Sequence, residues 1–420
     1  MVDKLSLNGS IRVPSDKSIT HRALLFGMMS SGTTYVKNPL LGADCRSTLE
    51  VIRRLGAEVV EQDDELIIKG IETPHSATLD CGNSGTTMRL LIGILSGYTG
   101  SFELVGDASL SKRPMRRVTS PLLEMGAHVK GEVAPLVIEG TSLKAIDYTL
   151  PIASAQVKSA ILLAGLRASG TTIVREPMLS RDHTERMLPL FGAELSISEE
   201  EGQRVIRVEP SRLTGTTVDV PADPSSAAFF WAGAAIIPDS LVTTTDVCLN
   251  ETRIGFLRTL ERMGALITIS NERSVGKERI GDVTVRTSEL SGTVIEGEMV
   301  PSQIDELPLF ALVASQASTP SVVKDAAELR VKETDRIDSV VTELRKLGVD
   351  IVGTDDGFIV KPSRLHGGDV TTYGDHRLSM MLQIAELMTD DVVHIEDMEA
   401  SEVSYPRFRL DLQRIQRKIE

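Results

Sequence analysis

Residues 52–59 read Ile-Arg-Arg-Leu-Gly-Ala-Glu-Val, and the pattern they set decides the fold. A helix-forming run ends on a glycine, and a strand-like run follows. The pattern returns as LLEMGAHV at 122–129, LPLFGAEL at 188–195, LERMGALI at 260–267 and LRKLGVDI at 344–351. The glycines, Gly56, Gly126, Gly192, Gly264 and Gly348, stand 70, 66, 72 and 84 residues apart. Glycine takes positive φ without steric cost, which a helix C-terminus commonly requires, so each is predicted to close an amphipathic helix. Self-similarity at a near-constant period marks repeated supersecondary units.

Ahead of each glycine lies a more apolar helix followed by a strand. The helices are ITHRALLFGMM, TTMRLLIGILSG, VKSAILLAGLRA, SSAAFFWAGAAI, LPLFALVAS and LSMMLQIAEL. The strands that follow begin TTYVK, SFELV, TTIVR, LVTTT, SVVKD and VVHIE. Two further strand-like runs come after each glycine helix, so one unit reads β-α-β-α-β-β. Six units make an α/β chain of the α+β type, the last closing with a helix near 406–418 and no glycine. They divide into two groups of three at Val220-Pro221-Ala222-Asp223-Pro224, a proline-interrupted stretch poor in helix formers. The expected domains are 13–220 and 221–420. Residues 1–12 precede any helix and are assigned to the second domain, giving crossover strands near 12 and 221.

Length and composition agree with two soluble domains. A chain of 420 residues exceeds what one core usually supports. Its 41% hydrophobic and 25% charged content is ordinary for a globular protein. The net charge of −14 argues against nucleic acid or an anionic membrane as the main partner. The start, MVDKLSLNGS, shows no secretory pattern, and the longest apolar run, 227–237, is too short to span a bilayer. Cys45, Cys81 and Cys248 have no metal-ligand spacing, and their odd number fits a reducing cytoplasm without disulfides.

The unusual polar residues recur at the N-terminal ends of helices. On the apolar helices these are Lys17, Ser18 and Arg22; Asn83, Gly85 and Arg89; Ser154, Gln156 and Lys158. The second half offers Asp223 with Ser225 and Ser226, then Asp305 and Glu306, then Asp375, His376 and Arg377. The amphipathic helices add Lys112, Arg113, Arg181 and the run Arg-Val-Lys-Glu-Thr-Asp-Arg at 330–336. Capping accounts for Asp223, Ser225 and Asp375. It does not account for the cations, which oppose the helix dipole at a helix start and so point to function. Helix N-termini with attached arginines make an anion site.

If 330–336 opens a helix, Lys332 and Arg336 lie one turn apart with Glu333 beside them. That spacing suits a phosphate or carboxylate, with an acid able to move a proton. Asp305 and Glu306 read as a capping pair. Alternatively, a carboxylate among cations stays ionised and can accept a proton. The loop Gly82-Asn83-Ser84-Gly85-Thr86-Thr87 lacks the lysine of a P-loop and by itself reads as a tight turn. No G-x-S-x-G elbow supports a serine triad.

PSDKSITHRALL, DCGNSGTTMRLL, LSKRPM, SAQVKSA, IDELP, RVKETDRI and YGDHRLSM closely resemble motifs of the EPSP synthase family, in family order from about 11 to 408. The resemblance implies two similar domains of three units each, closing around substrate. It implies enolpyruvyl transfer from phosphoenolpyruvate to the 5-hydroxyl of shikimate 3-phosphate through a tetrahedral ketal, with no metal or organic cofactor. A cytoplasmic monomer is expected.

By matching motif, Lys17 resembles the lysine that contacts both substrates and protonates the enol carbon. Ser18, Arg22, Ser154 and Gln156 match positions that hold shikimate 3-phosphate, Gln156 lying also near phosphoenolpyruvate. Arg113, Arg336 and Arg377 match the arginines on the phosphate and carboxylate of phosphoenolpyruvate, with Gly85 giving backbone contact. Asp305 resembles the base for the 5-hydroxyl, Lys332 touches both ligands, and Glu333 is the second acid-base candidate. Gly85 also matches the position where an added methyl lowers glyphosate affinity.

The chain departs from the family pattern in places. It has Ser154-Ala155-Gln156 where some members have two serines, and Glu328 where some have Asn. Val403 stands where some carry a lysine, and Arg181 replaces an aromatic over the shikimate ring. The alternative is enolpyruvyl transfer to a UDP-sugar. Members of that sister group commonly carry a Cys before an Arg-Pro, whereas DASLSKRP has none. An anion-binding clamp without catalysis would need neither Asp305 nor Glu333.

Overall fold

The computed structural model describes residues 5–418. The chain forms two compact units. One comprises Ser15–Val220 with Val275–Lys277; the other runs through Pro14, then Pro221–Ser274, then from Glu278 onward.

In the Ser15–Val220 unit one four-stranded arrangement occurs three times. Strand Ala77–Asp80 pairs in parallel with Ser101–Val105, which pairs antiparallel with Leu136–Glu139 and through it with His128–Lys130. Asp147–Thr149, Thr172–Glu176, Gln203–Val208 and Leu195–Glu200 repeat that order. So do Thr217–Asp219, Thr33–Lys37, Glu65–Lys69 and Glu58–Gln62. The edge strand of this set comes from the far end of the unit, because residues 5–11 serve elsewhere.

That elsewhere is the second unit. Leu5–Ile11 pairs in parallel with Leu241–Cys248 and antiparallel with Gln416–Lys418, in the five-stranded sheet that also holds Leu266–Val275 and Glu278–Arg286. Val294–Ile295, Ser321–Val323, Gly357–Val360 and Ile351–Thr354 form the next set. The sixth set is reduced to Gly368–Thr371 and Val393–Glu396. The final helix is Phe408–Ile415, shorter than the sequence suggested, because residues 416–418 leave it to cover the edge of Leu5–Ile11.

All five repeat glycines have positive φ, from 83° to 110°. Each amphipathic helix therefore stops where its sequence says. The third is only His183–Met187 followed by a 3-10 turn to Phe191, since Pro189 has no amide hydrogen to continue an α-helix.

The apolar helices form the cores. In one unit these are Lys17–Met29, Gly85–Ser96 and Ala155–Gly165; in the other, Pro224–Ile236, Leu307–Ser315 and His376–Glu386. Every residue of Leu307–Ser315 is buried, as is all of Pro224–Ile236 except its last residue. A Cβ at Gly93 would lie 2.3 Å from the Ala160 carbonyl oxygen, so glycine is what lets two of these helices approach. With the helices buried, sheets and amphipathic helices supply the exterior. No helix of the described residues is long and apolar enough to cross a membrane.

Candidate active site

In the Ser15–Val220 unit, Asp16, Ser84 and Ser154 cap the three apolar helices. Their side-chain oxygens accept from the amides of Ile19, Thr87 and Val157 at 2.8, 3.2 and 3.5 Å. The loop 82–87 is thus a helix start rather than a free turn. Lys17 opens its helix and pairs with Asp44 at 2.9 Å. Arg22, one turn further in, is almost fully buried. Its Nε donates to Thr184 Oγ1 at 2.7 Å, Nη2 to Ser159 Oγ at 2.9 Å and Nη1 to the Ser18 carbonyl at 3.0 Å.

A chain of buried hydroxyls ties the first two of these helices together through the helix Ala43–Arg54. His21 Nδ1 meets Thr48 Oγ1 at 2.8 Å, Thr48 meets Thr87 at 2.6 Å, and Thr87 donates to Ser84 at 2.7 Å. Burial lowers the His21 pKa to about 3, with Asp44 pulling the other way and Lys17 and Arg22 reinforcing the fall. His21 is therefore a neutral strut beside Lys17 at physiological pH.

Gly85 lies among guanidinium groups. A Cβ there would stand 3.0 Å from Arg89 Nη1 and 3.4 Å from Arg113 Nη1. Arg113 donates to Asn83 Oδ1 at 2.6 Å, and Asn83 in turn donates to Asp107 at 2.6 Å. Gln156 joins the group, accepting from Arg89 at 2.5 Å and donating to Thr86 at 3.0 Å. Arg113 follows a 3-10 turn three residues before the helix Arg116–Glu124, and Arg181 precedes a five-residue helix. Neither occupies the helix start that the sequence suggested.

The second unit holds a denser cluster. Arg336 is 1% exposed and contacts three carboxylates. Its Nε donates to Asp375 Oδ2 at 2.8 Å, Nη2 to Glu333 Oε2 at 2.7 Å and Nη1 to Asp305 Oδ1 at 3.2 Å. Asp305 also lies 3.8 Å from Lys332 Nζ and 3.7 Å from Arg377 Nη2. Arg377 Nη1 donates to Glu306 at 3.3 Å. Burial opposes the charge on Arg336, but Asp375, Glu333 and Asp305 overcome it and raise its pKa. Burial likewise opposes charge on Asp375, and Arg336 still drives its pKa below the usual carboxylate value.

The backbone behind this cluster differs from the sequence reading. Residues 330–336 do not form one helical turn. A 3-10 helix covers Ala327–Val331, Lys332 is extended, and the α-helix begins at Arg336 with Asp335 as its cap. Asp335 wins because its carboxylate accepts the Asp338 amide. Lys332 and Arg336 still meet, through Asp305 and not through helical spacing. Glu306 precedes Leu307–Ser315 without forming a side-chain cap bond. Asp305 and Glu306 Oε1 lie against cations instead. Asp223 and Asp375 are caps as read, and each also binds an arginine, Arg253 at 2.8 Å for Asp223.

A family model described as EPSP synthase (3-phosphoshikimate 1-carboxyvinyltransferase) matches residues 3–412. The chain belongs to the EPSP synthase family. Curated relatives named 3-phosphoshikimate 1-carboxyvinyltransferase are 50% identical, one from Bacillus thuringiensis subsp. konkukian over 420 residues and one from Geobacillus kaustophilus over 419, each covering 97% of both chains. The solved EPSP synthase of Acinetobacter baumannii superimposes with a TM-score of 0.85 at 41% identity, covering 98% of this chain and 96% of that one. The enolpyruvyl transferase NikO of Streptomyces tendae, at 16% identity and TM-score 0.76 over 99% of both chains, shares the fold.

As an EPSP synthase family member, the chain carries its motif residues in two groups. Lys17, Ser18, Arg22, Gly85, Arg113, Ser154, Gln156 and Arg181 belong to the Ser15–Val220 unit; Asp305, Lys332, Glu333, Arg336 and Arg377 belong to the other. Sequence reasoning missed the partners that hold them. Asp44, which holds Lys17, and Ser159 and Thr184, which hold Arg22, carry no local signal, because their role exists only once distant segments meet. The three cysteines are buried thiols outside any disulfide, and no cluster of metal-ligating side chains occurs among the described residues.

Proposed function

We propose that the chain transfers the enolpyruvyl group of phosphoenolpyruvate to the 5-hydroxyl of shikimate 3-phosphate, releasing phosphate. Its EPSP synthase family membership, with 50% identical relatives of that name, supports the reaction. The observation that carries the chemistry is Arg336 bridging Asp305 and Glu333, two acids from separate segments held on one cation.

The substrates together bear about five to six negative charges, counting each phosphate at about −1.5 to −2. Lys17, Arg22 and Arg113 on one unit, and Lys332, Arg336 and Arg377 on the other, supply the cations, several as forked guanidiniums. Ser18, Ser154, Gln156 and Arg181 take shikimate 3-phosphate, and Gly85 lets phosphoenolpyruvate approach the backbone. Asp305 accepts the 5-hydroxyl proton as that oxygen attacks C2 of phosphoenolpyruvate. Lys17 or Glu333 delivers a proton to the methylene carbon, giving a ketal. Loss of phosphate, with removal of a methyl proton, restores the double bond.

Shikimate-pathway chemistry of this kind belongs to aromatic amino acid biosynthesis; the proposed form of the enzyme is a cytoplasmic monomer. Phosphate release, followed with both substrates and with each omitted, tests the reading. Turnover must require both, and replacing shikimate 3-phosphate with a UDP-sugar must abolish it. Turnover with the UDP-sugar instead would move the chain to the sister reaction.

A further inference from the structure

The charged cluster buried most deeply in the Ser15–Val220 unit takes no part in the chemistry above. Lys158 Nζ lies 2.8 Å from Glu176 Oε1 and 2.7 Å from Glu185 Oε1, with all three side chains fully buried. Glu176 also accepts from the Ser180 hydroxyl at 2.5 Å and from the Ser180 amide at 3.2 Å. Taking three charges out of water is costly, and such groups do not outperform well-packed apolar side chains in stabilising a core. Stability alone does not account for them.

Their neighbours in sequence supply an account. Ser159 follows Lys158 on the helix Ala155–Gly165, and Thr184 precedes Glu185 on the helix His183–Met187. Two adjacent rungs therefore join the same two helices. One is the ion pair Lys158–Glu185; the other is the hydroxyl contact between Ser159 Oγ and Thr184 Oγ1 at 2.6 Å. Arg22 rests on the second rung, through Nη2 to Ser159 at 2.9 Å and Nε to Thr184 at 2.7 Å. Both hydroxyls accept from the guanidinium, and one donates to the other, so the three groups hold one another in place. The ion pair beside them fixes the spacing of the two helices that carry the pair.

We propose that Thr184, held in place by the Lys158–Glu185 ion pair, is a positioning residue that aims the Arg22 guanidinium and thereby sets affinity for the phosphorylated hydroxy-acid substrate. This rests on the reading of Arg22 as a ligand of shikimate 3-phosphate. The same cluster fixes Ser180 and so anchors the chain next to Arg181, a second expected contact of that substrate. The contacts that tie the cluster to the site run to Arg22 and to Ser180, so the expected effect falls on that substrate.

Thr184→Val removes the hydroxyl while keeping shape, and Thr184→Ser restores it. Glu185→Gln removes the charge of the ion pair, and Arg22→Ala tests the underlying reading. Steady-state kinetics in each substrate, with thermal melting by circular dichroism, give the readout. A hydrogen bond to a charged group is worth about 1.5–3 kcal/mol, roughly ten- to hundredfold in affinity. Thr184→Val is expected to raise KM for shikimate 3-phosphate at least tenfold while KM for phosphoenolpyruvate stays within twofold. Thr184→Ser returns the first KM to near its original value, and Glu185→Gln shifts it in the same direction as Thr184→Val. If Arg22→Ala weakens shikimate 3-phosphate and Thr184→Val does not, the inference is overturned while the reading of Arg22 stands. If Arg22→Ala leaves that KM unchanged, the reading itself fails. If Thr184→Val lowers the melting temperature and moves both KM values together, the residue is structural only and the proposal is wrong.

Discussion

Arg336 Nη2 lies 2.7 Å from the carboxylate of Glu333, three residues earlier, on a guanidinium that is 1% exposed. The contact is not an exposed helical ion pair, because Glu333 precedes the helix that Arg336 begins. It joins Glu333 to the same cation that holds Asp305 and Asp375. One side chain thus holds both carboxylate candidates for acid-base work, Asp305 and Glu333.

Arg336→Met is expected to remove that cation and leave Asp375 buried without its charge partner. Breaking a buried pair from one side costs about 3–5 kcal/mol. The expected result is a clear fall in melting temperature with loss of nearly all turnover. Unchanged melting would show that Asp375 is satisfied without Arg336.

Asp305→Ala takes away a carboxylate contacted by three cations. Ligand binding should persist, while kcat falls by about 10²–10⁴, the usual effect of losing a positioned base. Titration calorimetry against single-turnover kinetics separates the two. A kcat near that of the unmodified enzyme would end its assignment as the base.

Gly85→Ala would set a methyl 3.0 Å from Arg89 and 3.4 Å from Arg113. The guanidiniums must shift by a few tenths of an ångström, within a cluster that packing and hydrogen bonds hold. KM for phosphoenolpyruvate should rise several-fold, and inhibition by glyphosate, expected for the unmodified enzyme, should weaken further. Equal inhibition of both forms would contradict the placement of Gly85 at that ligand.

His21 titrates at about 3 in the folded chain and at 6.5 when unfolded. The unfolded state therefore binds the extra proton between those values. The folded state keeps full benefit above pH 6.5 and loses it as pH falls toward 3, by about 1.4 kcal/mol per pH unit. In His21→Gln, denaturant midpoints should fall less between pH 7 and pH 5 than in the unmodified protein. Parallel falls would assign the acid sensitivity to other groups.

The close helix approach at Gly93 makes a stability prediction independent of chemistry. Gly93→Ala would put a methyl 2.3 Å from the Ala160 carbonyl oxygen. Overpacking of this kind costs typically about 1–3 kcal/mol. A lower melting temperature with KM values near the original is expected; an unchanged melt would mean that the helices separate freely.

Periodicity and the five glycines determined the repeat unit, the helix ends and the buried helices, because a glycine with positive φ and an apolar stripe are local instructions. Lys17, Arg336 and Arg377 were likewise visible as cations placed in a first helical turn against the dipole. The assignment of residues 1–12 to the second half was also read from the sequence, but the tertiary structure alone decided that Leu5–Ile11 pairs with Leu241–Cys248 and that Thr217–Asp219 completes the first set, since strand pairing is a contest between segments far apart in sequence. It also decided that Lys332 and Arg336 meet on Asp305, and that Thr184 and Ser159 hold Arg22. Hydrogen bonds and ion pairs of that kind depend on three-dimensional proximity, which spacing along the chain does not encode.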